Sequence, residues 1–355
     1  MNAWLRKRLP ELSEAVLFLL ITLSLGWRLV NDSSAHYMPE PPQGSVATLL
    51  QRADAAYDRG DLAQAGVLYA EVLRLEPENV QAAVRLANLL HRNSWNDNAM
   101  ALLDRALKAD PNHLEAHLLR AKIYRDEGES ELAAQEYELV VAQDPDNAEA
   151  LYYLGTTYQA QRQFEKAIYA YVASANADKD LITPPFERVP FGVQARLQLG
   201  RTYRQLAGYQ FQYGNMKDGM ELLELGIEEI RKAAKLAEYL KLTDYREAHH
   251  ELMAALQQKA QLLLRQRARP QELLAIYEEM IQLDPEDPYG WREAAQLIYQ
   301  NARSRADLEK ALEYFNRAFE LDPGDLDAHT GRAAVMQDLA RSDEELERIF
   351  AETAP

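Results

Sequence analysis

The sequence predicts an all-α solenoid of stacked helical pairs, and three observations carry that expectation. A proline-led turn recurs at Pro77, Pro111 and Pro145, 34 residues apart, and each copy runs into a helical pattern: "RLEPENVQAAVRLANLL", "KADPNHLEAHLLRAKIY", "AQDPDNAEALYYLGTTY". Small residues recur with the same period, Ala53, Ala87, Ala121 and Gly155 in one column and Ala65, Ala99, Ala133 and Ala167 in another. Large residues keep fixed offsets from them, Leu90, Tyr124 and Tyr158 three after the first column and Tyr69, Leu103, Tyr137 and Tyr171 four after the second. Offsets of three and four are helical. Small residues let antiparallel helices approach, large ones fill the layer between pairs, the proline ends one helix, and Asp or Asn caps the next.

Taken in order, residues 1–30 are expected to anchor the chain in a membrane. Arg6, Lys7 and Arg8 precede the uncharged run Ala15 to Trp27, and apolar character extends over residues 12–30 with only Glu14 and Arg28 charged. That stretch approaches the roughly 20 residues a bilayer requires if both charges snorkel to the interfaces. The basic cluster keeps the N-terminus in the cytoplasm and places residues 31–355 across the membrane. A cleaved signal peptide, with Ser33-Ser34-Ala35 as the small residues of a cleavage site, is the rival reading. Residues 31–45 carry Pro39, Pro41, Pro42 and Gly44 and read as an extended linker.

Residues 46–179 hold four regular units, and residues 180–192, with Pro184, Pro185 and Pro190, interrupt them. Residues 193–287 read as lengthened, irregular helices. A fifth unit starts with Leu199, Gly200 and Tyr203 in register, but its turn at Gly214-Asn215 comes seven residues late, which adds about two turns to its first helix. Two more long helices run from Met216 to Arg267, broken near Thr243-Asp244, where Asp244 and Glu247 make a capping-box start. Residues 288–355 hold a terminal unit, marked by Trp291, Ala295, Ala311, Phe315 and Ala318, and capping helices whose Asp343, Glu344, Glu345 and Glu347 suit a polar end.

This pattern resembles the tetratricopeptide repeat (TPR) family, and Gly60 and Gly128, between the two helices of their units, complete the likeness. The resemblance implies a right-handed superhelical solenoid of about seven helical pairs plus a C-terminal cap. It also implies a concave groove, lined by the first helix of each unit, that holds an extended or helical segment of another protein. By position it puts Asp54, Tyr57, Asn88, His91, Arg92, Lys122, Arg125, Tyr152, Thr156, Gln159, Arg201 and Arg204 on that surface. Its cations form a basic strip in an acidic protein and suggest an acidic or carboxylate-bearing partner segment. An unused, solvated face is the bland alternative. Of the carboxylate-holding positions of chaperone-binding family members, only Asn88 and Lys122 fall on comparable places, with Val84 and Leu118 one turn earlier. Phe186 and Phe191, in the interruption, are either a second binding element or a cover over the enlarged fifth unit.

Other chemistry is thinly supported. A formal charge of −17 argues against nucleic acid as a partner, and zero cysteines exclude disulfides and thiolate metal sites. No phosphate loop, nucleophile elbow or HExxH helix is present, so neither catalysis nor a cofactor is expected. His113 and His117 have a metal-compatible spacing, but a packing role for His117 and a turn position for His113 are the simpler reading; adjacent His249 and His250 read as surface residues. The expected function is a non-catalytic, membrane-anchored scaffold or assembly factor for a multiprotein complex of the bacterial envelope, held in the inner membrane with its repeats in the periplasm. A periplasmic chaperone for exported clients, as in cytochrome c maturation, is the alternative, and an enzyme the remote one.

Overall fold

The structure, a computed structural model, describes residues 44–177, 189–242, 246–341 and 345. The expected anchor (residues 1–30), nearly all of the linker, most of the interruption with Phe186, the Asp244 cap and the end of the capping segment with Asp343, Glu344 and Glu347 lie outside the described residues. Fifteen helices and no strand are found among the described residues. None of these helices is long and apolar enough to cross a membrane. The chain divides into two compact units at Gln163 and Phe164, between the two helices of the fourth repeat.

The first unit contains α1 (Val46–Asp58), α2 (Leu62–Leu75), α3 (Val80–Arg92), α4 (Asn96–Ala109), α5 (Leu114–Asp126), α6 (Ser130–Gln143) and α7 (Ala148–Ala160). Every first helix has 13 residues and every second helix 14, and consecutive helices pack against each other. Proline follows the C-cap of α2, α4 and α6, where it cannot continue the helix. Asn79 and Asn147 accept from the amides of Ala82 and Ala150 as N-caps. The third repeat departs from the expected Asp or Asn: His113 Nδ1 accepts from the Ala116 amide at 3.2 Å. The small columns close the pairs, with Ala53, Ala87, Ala121, Ala65, Ala99 and Ala133 all fully buried beside Tyr69, Leu103 and Tyr137.

A backbone signal at the same period was only half visible in the sequence. The turn joining the helices of a pair needs a left-handed residue, at Gly60 (φ +79°), Ser94 (+62°), Gly128 (+82°) and Arg162 (+60°). Each lets the next amide bond back five residues, from Asp61, Trp95, Glu129 and Gln163 to the carbonyls of Ala56, Leu90, Tyr124 and Tyr158. Ser94 and Arg162 occupy the conformation without glycine's freedom and are strained by their Cβ atoms.

The third repeat also carries an inserted polar cluster. His117 Nδ1 meets Glu136 Oε2 at 2.7 Å, His117 Nε2 meets the Pro111 carbonyl at 2.8 Å, and Arg120 Nη2 donates to Glu136 Oε1 at 2.8 Å. Buried Ala83 and Leu151 stand at the position of His117 in neighbouring repeats, Leu86 and Leu154 at that of Arg120, and Leu68 and Leu102 at that of Glu136. Three apolar positions that meet in space have changed together, as buried charges require partners.

The second unit contains α8 (Phe164–Ala177), α9 (Phe191–Gln212), α10 (Met216–Tyr239), α11 (Arg246–Arg265), α12 (Pro270–Leu283), α13 (Pro288–Gln300), α14 (Arg305–Leu321) and α15 (Leu326–Leu339). The lengthening is as the late turn implied: α9 has 22 residues and α10 has 24. These two cross at glycine. A Cβ on Gly200 would stand 2.8 Å from the Gly226 carbonyl oxygen and closer still to Ile230, and one on Gly226 would stand 2.9 Å from the Gly200 carbonyl oxygen. Pro285 and Pro323 follow the C-caps of α12 and α14, and Asp287 and Asp325 cap α13 and α15.

Candidate functional site

In the first unit the predicted groove residues sit on α1, α3, α5 and α7, and they tie neighbouring first helices together in rungs. Asp54 of α1 accepts from Gln81 Nε2 of α3 at 2.9 Å, and the Arg85 guanidinium of α3 lies 5.3 Å from the centre of the Tyr57 ring. Two repeats on, the same positions are used with chemistry exchanged. Lys122 Nζ of α5 is 2.8 Å from Glu149 of α7, and the Arg125 guanidinium lies 4.2 Å from the centre of the Tyr153 ring. The face therefore alternates: acid and ring on α1, cations on α5, and the complementary groups one helix further along.

Between these rungs, His91 Nδ1 bonds Asn96 Oδ1 at 3.0 Å, and its Nε2 lies 3.3 Å from Asp126. Asn88 is half-buried on α3, and Arg92 is exposed at its C-terminal end. Tyr152 meets the Tyr153 ring edge-on at 5.2 Å, and Thr156 donates to the Tyr153 carbonyl. Tyr153 was missed as a site residue, although the aromatic at Tyr57, 28 residues before Arg85, points to an aromatic 28 after Arg125.

The expected basic strip is largely compensated. Arg125 gives Nε and Nη2 to Asp126, and Lys122 is paired with Glu149. In the second unit, Arg201 donates to Glu247 and Glu251 of α11 at 2.7–2.9 Å, and Arg204 Nη1 donates to Glu251 at 2.7 Å. Burial works against the Arg201 charge, yet the bonds to Glu247 and Glu251 hold its guanidinium above the usual range. These two arginines fasten α9 to α11. Their partners lie 46–50 residues away in an aperiodic stretch, so no spacing announced them. Phe191 opens α9 and is 7% exposed, which packs it into the unit rather than offering it to a partner.

Both histidines of the metal-compatible pair are engaged by the protein itself, His113 as a cap and His117 in its buried cluster. His249 and His250 line a cleft of about 480 Å³ with Glu238, Arg246 and Asp284. Among the described residues no group of three His, Asp or Glu is placed to hold a metal ion.

A fold of 34-residue helical pairs, with an interrupted and lengthened second half, defines a helical repeat protein. Family models described as tetratricopeptide repeat match residues 56–123 and 302–325, and one described as TPR repeat matches residues 121–162. This chain thus carries tetratricopeptide repeats over residues 56–162 and 302–325. It is 32% identical over 93 residues to the type IV pilus assembly protein PilF of Pseudomonas aeruginosa, a match covering 26% of this chain and 36% of that one. The match thus spans about a third of the curated relative's length. Among solved structures, MamA aligns at 20% identity over 54% of this chain and 94% of its own, with a TM-score of 0.42. A tetratricopeptide repeat protein from Parabacteroides merdae aligns at 15% identity over 82% and 99%, with a TM-score of 0.41.

Proposed function

We propose that this chain is a membrane-anchored scaffold or assembly factor that holds a partner protein on the first-helix face of its regular repeats. The observation that supports it is the row of half-buried aromatic and charged groups along α1, α3, α5 and α7, presented by helices whose small residues lock them in place. The PilF relative is a type IV pilus assembly protein, which agrees with a part in building a bacterial envelope complex. In this reading residues 12–30 span the inner membrane, the N-terminus stays in the cytoplasm, and the repeats wind as a right-handed solenoid in the periplasm without catalysing a reaction. Anchoring raises the local concentration of the repeats, and the face selects the partner.

The test is partner recovery from gently solubilised membranes. A joint Arg92→Glu and Arg125→Glu change is expected to lower recovery severalfold with helicity by circular dichroism unchanged, whereas Arg162→Glu, in a turn, should behave as wild type. Full recovery by the double variant would take the face out of the binding role. A C-terminal reporter active only after export, silent in this fusion, would overturn the topology.

A further inference from the structure

The tyrosines of the second helices supply a sharper statement about that face. Tyr69 and Tyr137 hold equivalent positions two repeats apart, and both side chains are fully buried. In the first repeat the Tyr69 hydroxyl donates to Asp54 Oδ1 at 2.6 Å. The residue equivalent to Asp54 in the third repeat is Lys122, which can only donate. Its acidic counterpart has moved to the far end of the rung, at Glu149, where Lys122 holds it. The Tyr137 hydroxyl finds no hydrogen-bond partner, and neither does the buried Arg125 Nη1, since Asp126 occupies only Nε and Nη2. Two buried donors thus lack an acceptor where the first repeat supplies a carboxylate.

The surroundings narrow the missing group. Burial pushes the Tyr137 phenol up, against the pull of the Arg125 charge, with Tyr153, Asp126 and Glu149 acting in the same direction as burial. It is therefore a proton donor over the whole physiological range. Lys122 and Arg125 are balanced by Glu149 and Asp126, so an incoming group is selected by the orphan donors rather than by surplus charge. The Lys122 and Arg125 side chains are 25% and 30% exposed, so the site borders the surface of the face.

We infer that Tyr137 Oη and Arg125 Nη1 form a subsite for one carboxylate of an acidic side chain on the bound partner, occupying the place that Asp54 fills beside Tyr69. This rests on the interaction face proposed above and names the chemistry of one position within it. The donors are complementary to an acceptor, and the charged one favours an anion over an amide oxygen.

Two measurements on the full chain test it. In urea unfolding, Tyr69→Phe should lower the midpoint, because a made hydrogen bond is lost, whereas Tyr137→Phe should leave it unchanged or raise it, because an unmade one is removed. An equal loss in both would mean that the Tyr137 hydroxyl is already satisfied in the free protein, and would overturn the subsite. In fluorescence anisotropy, a labelled peptide of alternating Glu and Ala, amidated at its C-terminus, should bind wild type about tenfold more tightly than its Gln counterpart, and Tyr137→Phe should erase that preference. An all-Ala peptide with a free C-terminal carboxylate should bind no better than the Gln peptide; tighter binding would make the ligand a chain terminus and overturn the side-chain assignment. Equal binding of Glu and Gln peptides to wild type would overturn it as well. If the Arg92 and Arg125 double variant loses partner capture while Tyr137→Phe keeps the Glu preference, the face stands and the subsite falls.

Discussion

The two halves of this chain solve one packing problem by different means. In the first unit, 13- and 14-residue helices meet through alanine columns repeated every 34 residues, so each layer is a copy of the last. In the second, three consecutive helices, α9, α10 and α11, lengthen to 20–24 residues and the repeat register lapses across them. There, a glycine crossing at Gly200 and Gly226 and ion pairs between separate helices hold the long elements together. Arg201 and Arg204 reach Glu251, Arg231 reaches Glu279, and Lys259 reaches Glu224. Length without period removes the ready-made complementarity of a repeat, and long helices must acquire it by close approach or by charge. The second unit has also committed to structure the arginines that a repeat-based alignment assigns to the groove.

The sharpest probe of this contrast is the one place where the first unit breaks its own apolar rule. Glu136→Leu leaves His117 and Arg120 without their shared acceptor and should destabilise the chain by about 3 kcal/mol in urea unfolding. Changing all three residues to leucine, found at the equivalent positions of neighbouring repeats, should return stability to wild type or beyond. If the single and triple variants unfold alike, the three residues are not one unit and the regular layer tolerates isolated polarity.

The glycine crossing gives the next largest effect. Gly200→Ala should cost about 2 kcal/mol, since its new methyl meets a backbone carbonyl that cannot yield without moving α10. Gly208→Ala, two turns along the same helix with nothing within 4 Å of its Cβ, should add roughly 0.5–1 kcal/mol of stability. A similar change in both would show that α9 and α10 part easily and that the ion pairs carry the contact.

The smallest effect separates the turns. Arg162→Gly should stabilise by about 1 kcal/mol, because glycine relieves the left-handed strain, while Gly128→Ala at the equivalent turn should cost about as much. Opposite signs in thermal denaturation would confirm that one backbone geometry, rather than one residue type, repeats every 34 positions.

Much of the fold was legible because its cause is local and recurrent. The prolines after the second helices, the asparagine caps, the alanine columns and the late turn at Gly214 act over three to seven residues, and repetition separates each from chance. The strained Ser94 and Arg162 escaped notice because glycine is the visible mark of a left-handed turn. On the candidate site, the sequence placed Tyr57, His91, Lys122 and Arg125 on first helices, but it could not show which charges were free. Arg201 and Arg204 looked like groove residues until α11 was seen beside them.

What the sequence determined by itself is the architecture of helical pairs, the register of the first unit and the point where that register fails, since these come from side-chain size and backbone preference along the chain. What only the tertiary structure decided is the pairing of charges: Lys122 with Glu149, Arg201 with Glu251, and Tyr137 with no acceptor where Tyr69 has Asp54. Helix propensity and apolar period are properties of neighbours in sequence. A hydrogen bond between helices depends on a few tenths of an ångström across residues far apart in the chain, and no pattern along it encodes that distance.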